Sequence, residues 1–243
     1  MEPVLLLLAL CAAAAGAAAL GVLPLVGRSD TPLAGLGGAN AVAAGMMLGA
    51  AYLLTAAQVD AGAVSAALGA VIGIAFILGT HYAAGTETTT LNRLSDQDPA
   101  YGYQLLLISG LHSASEGVAI GVAMIIDVEL GIFMAVAIAL HNVPEGTVLS
   151  AILRSRGIRL IEAAGLAIAA NAGQVLLAVT VFSVVSVAPA FLPWALGFAV
   201  GTLVQLSLME LLPESYRQSG HTSIATATVV ALGVVVLTRG LVP

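Results

Sequence analysis

Eight apolar stretches, each about twenty residues long, follow one another along this chain of 243 residues. About 20 residues is the length that an α-helix needs to cross the ~30 Å hydrocarbon core of a bilayer. Charged residues make up only 8% of the chain, against about 25% in a soluble domain, so the sequence cannot provide a water-facing surface. The sequence therefore predicts an all-α membrane protein, a single transmembrane domain over 1–243, with helices at about 3–25, 36–57, 62–84, 102–125, 130–153, 160–186, 190–212 and 221–241.

The arginines are distributed unevenly between the predicted connections, and this asymmetry predicts an orientation. With both termini outside, the connections after the first, third, fifth and seventh helices carry Arg28, Arg93, Arg154, Arg156, Arg159 and Arg217. The opposite connections carry Asp60, Asp127 and Glu129 instead. Because basic residues concentrate on the cytoplasmic side, the even helix count and the orientation support each other. The longest connection, about 85–101, is polar and is predicted to be a mobile cytoplasmic loop.

Charge and cysteine content narrow the possible partners. The net charge is −6, and no basic patch is available to neutralise phosphates, so nucleic acid is excluded as a partner. Cys11 is the single cysteine and cannot form an internal disulfide. The lipid bilayer is the partner that the composition requires.

Two His-x-x-x-Glu pairs, His112 with Glu116 and His141 with Glu145, lie inside the fourth and fifth apolar stretches. A spacing of four places both members of a pair on one face of a helix, one turn apart. Ionisable groups inside a membrane helix cost about 2.5–3.5 kcal/mol each and usually mark a pathway or a site. Two neutral imidazoles and two carboxylates would cancel the charge of a divalent cation, and these ligands suit Zn²⁺, Fe²⁺, Mn²⁺, Co²⁺ or Cd²⁺.

Other interpretations remain open at this point. The four residues could be polar groups that hold helices together, or three of them with a water could form an intramembrane metal-dependent hydrolase. His81 and His221 are interpreted as interfacial residues near helix ends. Glu210 and Glu214 are interpreted as a solvated helix end, with an exit station for cations as the alternative.

The segments HSASEG at 112–117 and ALHNVPEG at 139–146 resemble those of the ZIP (Zrt/Irt-like) family of divalent metal transporters. The resemblance extends through RSRG at 154–157 to GFAVGTL at 197–203 and ELLPES at 210–215. It implies eight helices in a 3+2+3 inverted-repeat arrangement, both termini outside, a metal site between the fourth and fifth helices, and a homodimer. It also implies metal movement toward the cytoplasm by sliding of one helix group against the other.

Carried over by position, the resemblance makes His112, Glu116, His141 and Glu145 the ligands of the primary ion, which is the transported substrate and not a cofactor. The positions of a second ion correspond to Ser113, Asn142 and Gln174, all uncharged. Uncharged oxygens compensate a divalent cation poorly, so one tight metal ion per chain is expected. The leading hypothesis is a carrier, not an enzyme, that moves Zn²⁺ into the cytoplasm, with Fe²⁺, Mn²⁺ and Cd²⁺ as alternatives.

Overall fold

The computed structural model describes residues 3–27, 33–57, 62–84, 99–218 and 220–241, and within these ranges the chain is almost entirely helical. Short 3₁₀ segments at Ala18–Leu25 and Pro189–Phe191 and a π-helix at Ser207–Leu211 interrupt the α-helical structure. The α-helices are α1 (Pro3–Ala17), α2 (Leu33–Ala57), α3 (Ala63–Ala84), α4 (Pro99–Ile126), α5 (Val128–Ser155), α6 (Leu160–Ala170), α7 (Ala172–Val187), α8 (Leu192–Leu206), α9 (Leu212–Gln218) and α10 (His221–Leu241).

Seven helical segments among the described residues are long and apolar enough to cross a membrane: Pro3–Leu25, Gly35–Ala56, Ala63–Ala83, Gln104–Ile126, Val128–Ser155, Leu160–Val187 and Pro189–Gln218. A shorter apolar helix at His221–Leu237 corresponds to the eighth predicted span. The all-α membrane architecture is thus confirmed. The count of eight, the 3+2+3 repeat and the single domain stay predictions.

Three of the predicted spans contain breaks or changes of helix type that the hydrophobic pattern does not reveal. The first span passes from α1 into the 3₁₀ segment at Ala18–Leu25. The sixth is divided at Asn171, whose side-chain Nδ2 donates to the carbonyl of Ala167 at 2.9 Å. The seventh passes from α8 through the π-helix into α9, so it extends beyond the predicted residue 212 to Gln218. The predicted connection at about 85–101 lies outside the described residues as far as residue 98, and so do Arg28, Asp60 and Arg93.

A tight hairpin places the two His-x-x-x-Glu pairs side by side. Asp127 alone separates α4 from α5, and its Oδ1 accepts a hydrogen bond from the backbone N of Leu130 at 2.8 Å, which caps α5. His112 and His141 lie at nearly equal sequence distances from this turn. At a rise of about 1.5 Å per residue they therefore reach the same depth, about 21–23 Å from the turn.

Glycines next to the two glutamates allow neighbouring helices to pack very closely. A Cβ atom added to Gly117 would overlap the backbone of Gln174 in α7, and one added to Gly146 would overlap the backbone of Ala18. Small residues at such contacts are typical of membrane helix pairs. Glu116 and Glu145 therefore each lie next to a glycine at which their own helix packs closely against a neighbouring segment.

Candidate metal centre

All four predicted ligands, His112, Glu116, His141 and Glu145, line one cavity between the helices. We call these four residues the central set. The cavity has a volume of about 700 Å³, including its open mouth. Its other polar lining residues are Asn40, Ser109, Glu210 and Glu214, and the remainder of its wall is apolar.

Three members of the central set meet around His141. The Nε2 atom of His141 lies 3.2 Å from Glu116 Oε1, across the α4–α5 contact, and 4.0 Å from Glu145 Oε2 on its own helix. The other oxygen of Glu145, Oε1, accepts a hydrogen bond from the hydroxyl of Ser109 at 2.6 Å. The hydroxyl thus orients this carboxylate with its second oxygen toward His141.

The fourth member, His112, contacts a different pair of residues in this structure. Its Nε2 lies 3.4 Å from Glu210 Oε1, and the same oxygen is 2.9 Å from His81 Nε2. Potential ligand atoms of His81, His112 and Glu210 all lie within 4.8 Å of one another. Among the described residues, this is the one group of three or more His, Cys, Asp or Glu side chains with that spacing. The four residues of the central set line one cavity, but their potential ligand atoms do not all lie within 4.8 Å of one another.

One carboxylate oxygen of the central set is buried without a hydrogen-bond partner. Glu116 is only 1% exposed, and its Oε2 atom is fully enclosed without a hydrogen-bond partner. A buried carboxylate oxygen without a partner is costly, and such an atom requires an explanation. A cation bound in the cavity would supply the missing partner and offset the cost.

The three residues predicted for a second ion are completely buried: Ser113, Asn142 and Gln174. The described residues that line the cavity do not include them. Asn142 Nδ2 donates to the carbonyl of Ala14 at 2.8 Å and to Gln174 Oε1 at 3.2 Å. Gln174 Nε2 donates in turn to the carbonyl of Cys11 at 3.4 Å. The two amides therefore connect α5 and α7 to α1, and their role toward a second ion stays a prediction.

Sequence reasoning missed the burial of His81 and Glu210. His81 is only 5% exposed, and the side chain of Glu210 is 13% exposed, so both are largely enclosed by protein. Glu214 is also buried and is held by Arg217 Nη1 at 3.0 Å and Gln218 Nε2 at 2.7 Å. The rule that an ionisable residue in an apolar helix marks a site would have singled out His81 and Glu210 too. His221, in contrast, is exposed and stacks on Tyr216.

Comparison with known proteins supports the interpretation of the cavity as a metal site. The family described as ZIP zinc transporter matches residues 80–238, which is more than half of the chain. A protein of Arabidopsis thaliana named as a putative zinc transporter is 29% identical over 225 residues, covering 90% of this chain and 36% of that protein. Zinc transporter GufA of Myxococcus xanthus is 31% identical over 113 residues, covering 46% of this chain and 44% of its own length.

The chain thus spans less than half the length of both relatives. The matched range includes both His-x-x-x-Glu pairs, His81 and Glu210. The described residues also contain seven apolar helices of spanning length, as expected for a multi-pass membrane protein. The chain belongs to the ZIP zinc transporter family, a family of transporters rather than enzymes.

Proposed function

We propose that this protein carries divalent transition-metal ions, Zn²⁺ foremost, across the membrane into the cytoplasm through the cavity that α4 and α5 line together with α2, α8, the π-helix and α9. The observation that carries the proposal is the buried contact of His141 with Glu116 and Glu145 in the same cavity as His112. Nitrogen and oxygen ligands without thiolate suit Zn²⁺, Fe²⁺, Mn²⁺ and Cd²⁺. Both relatives are named as zinc transporters, which favours zinc.

Each member of the central set has a distinct role in this proposal. Glu116 and Glu145 neutralise the ion, so that no net charge has to be carried through a medium of low dielectric constant. His141 and His112 provide neutral nitrogen ligands that favour Zn²⁺ over Mg²⁺ and Ca²⁺. A transport site must also release its ion, and a cavity with an open mouth permits water to complete the coordination shell.

The direction of transport is taken from the family resemblance, and the arginine distribution gives the orientation of the chain in the membrane. Arg154 and Arg156 lie at the end of α5, Arg159 precedes α6, and Arg217 lies in α9. The positive-inside rule assigns this arginine-bearing side to the cytoplasm, with both termini on the opposite side. We include the homodimer in the proposal because it is implied by the family resemblance.

Uptake of radioactive Zn²⁺ into proteoliposomes tests the proposal. Glu116→Ala and His141→Ala should each lower the initial rate at least about tenfold, because each removes a ligand from a charge-balanced site. Glu129→Ala is the matched control, since Glu129 is an exposed glutamate in the first turn of α5 and lies outside the cavity. Wild-type rates in both ligand variants, or an absence of saturable uptake by the wild type, would refute the proposal.

A further inference from the structure

A second cluster of potential metal ligands adjoins the central set and shares one residue with it. His81 from α3, His112 from α4 and Glu210 from the π-helix bring two imidazole nitrogens and a carboxylate oxygen within 4.8 Å of one another. We call these three residues the His81 cluster. All three side chains are largely enclosed by protein, so this is not an exposed acidic surface.

Two independent features of the cluster point to a cation. His112 Nε2 is buried and has no hydrogen-bond partner, although it lies 3.4 Å from Glu210 Oε1. An imidazole nitrogen and a carboxylate oxygen at this separation can both bind one divalent cation after a small adjustment. In addition, Glu210 lies in the five-residue π-helix Ser207–Leu211, and such single π turns occur frequently at functional sites.

The position of the cluster relates it to the path of the ion. His112 lies one turn nearer than Glu116 to the first residue of α4, at the end of the hairpin where Arg154 lies in α5 and Arg156 follows it. Because His141 lies at nearly the same depth as His112, the side of the cluster is given by His81, which lies three residues before the end of α3, where the following connection is predicted on the arginine-bearing side. The cluster therefore extends from the central set toward that side. Glu210 and Glu214 line the same cavity, so the two groups of ligands are not separated by a wall.

We propose that His81, His112 and Glu210 form a second station for the transported divalent cation, which receives the ion from the central set through the shared His112. This inference rests on the proposed function. The station carries one formal negative charge where the central set carries two, so it binds the ion less tightly. His112 Nε2 offers one lone pair, so the two stations hold a single ion in turn.

A purely structural role is the competing explanation, because His81 Nε2 and Glu210 Oε1 already form a 2.9 Å hydrogen bond. His81→Gln separates the two explanations. The glutamine amide can still donate to Glu210, but its neutral oxygen is a much weaker ligand for Zn²⁺ or Cd²⁺ than an imidazole nitrogen. A structural role predicts unchanged ion binding and transport in this variant, whereas the station predicts a loss.

Equilibrium binding of Cd²⁺ to purified protein tests the station directly. In a Glu116→Gln/Glu145→Gln background, the remaining cluster should bind one Cd²⁺ per chain at least about tenfold more weakly than the wild type. Adding His81→Gln or Glu210→Gln to that background should abolish this residual binding. The proposal is overturned if the double variant binds no Cd²⁺, or if adding His81→Gln leaves its binding unchanged, while circular dichroism shows an intact helical fold.

Transport by the single variant His81→Gln provides the second measurement. The central set remains intact, so the concentration of Zn²⁺ at half-maximal uptake should stay within about twofold of wild type while the maximal rate falls at least about tenfold. A wild-type maximal rate in His81→Gln, together with a loss of uptake in Glu116→Ala, would overturn the station and leave the proposed function intact. Absence of uptake by the wild type would refute the proposed function itself.

Discussion

His141 Nε2 lies 3.2 Å from Glu116 Oε1, and this contact joins α4 to α5 near the middle of both helices. The two residues belong to different His-x-x-x-Glu pairs, so neither pair acts alone. The contact exists because a one-residue turn at Asp127 brings the histidines to equal depth. Ion binding should therefore depend on both helices together.

Zn²⁺ should stabilise the wild-type protein against thermal unfolding, and His141→Ala should remove that effect. A ligand that binds only the folded state stabilises it by about 2.7 kcal/mol at one hundred times its Kd. The measurement is the change in Tm of the detergent-solubilised protein on addition of Zn²⁺. An equal Zn²⁺-dependent rise in Tm for His141→Ala would contradict the assignment of this residue as a ligand.

Ser109→Ala should weaken transport without abolishing it. The hydroxyl donates to Glu145 Oε1 at 2.6 Å, and a hydrogen bond to a charged group contributes about 1.5–3 kcal/mol. Water in the cavity can replace part of the free energy of this hydrogen bond, so we expect the rate of uptake at low Zn²⁺ to fall about threefold to tenfold. Ser186→Ala is the matched control, because that exposed hydroxyl donates within its own helix, to the carbonyl of Phe182. Equal rates in the two serine variants would exclude a positioning role for Ser109.

Gly146→Leu should prevent correct packing of α5, because a side chain there would overlap the backbone of Ala18. We expect a loss of more than about 3 kcal/mol in stability, seen as aggregation or a strongly lowered Tm. Gly165→Ala in α6 is the control, since among the described residues no atom beyond the adjacent turns of its own helix lies within 4 Å of an added Cβ atom. That variant should be neutral or slightly stabilising, because alanine favours the helix.

Equilibrium dialysis of the purified wild type should give one tightly bound metal ion per chain. Ser113, Asn142 and Gln174 carry no formal charge, and the two amides are engaged with each other and with the α1 backbone. Asn142→Asp combined with Gln174→Glu would add two carboxylates and should raise the stoichiometry toward two. Two tight ions in the wild type would disprove this interpretation of the substitutions.

The shared position of the central set was predictable from the sequence because it depends on two regular features, while its role as a metal site stays a prediction. A spacing of four fixes His112 with Glu116 on one helix face, and His141 with Glu145 on another. The short connection at Asp127 then brings the two faces together. Both features are local, so neither requires knowledge of how distant helices pack.

The association of His81 with Glu210 was not predictable in the same way. These residues are separated by 129 positions, and their contact depends on the packing of α3, α4 and the seventh span. The π-helix at Ser207–Leu211 adds a local change of helical register that hydrophobic periodicity does not report. The break at Asn171 is similar, since its flanks are equally apolar.

X-ray absorption spectroscopy of Zn²⁺ bound to the purified protein tests the central claim most directly. The account predicts only nitrogen and oxygen ligands at about 2.0–2.2 Å, with an imidazole contribution that decreases in His141→Ala. Sulfur at about 2.3 Å, or an imidazole contribution unchanged by His141→Ala, would contradict it.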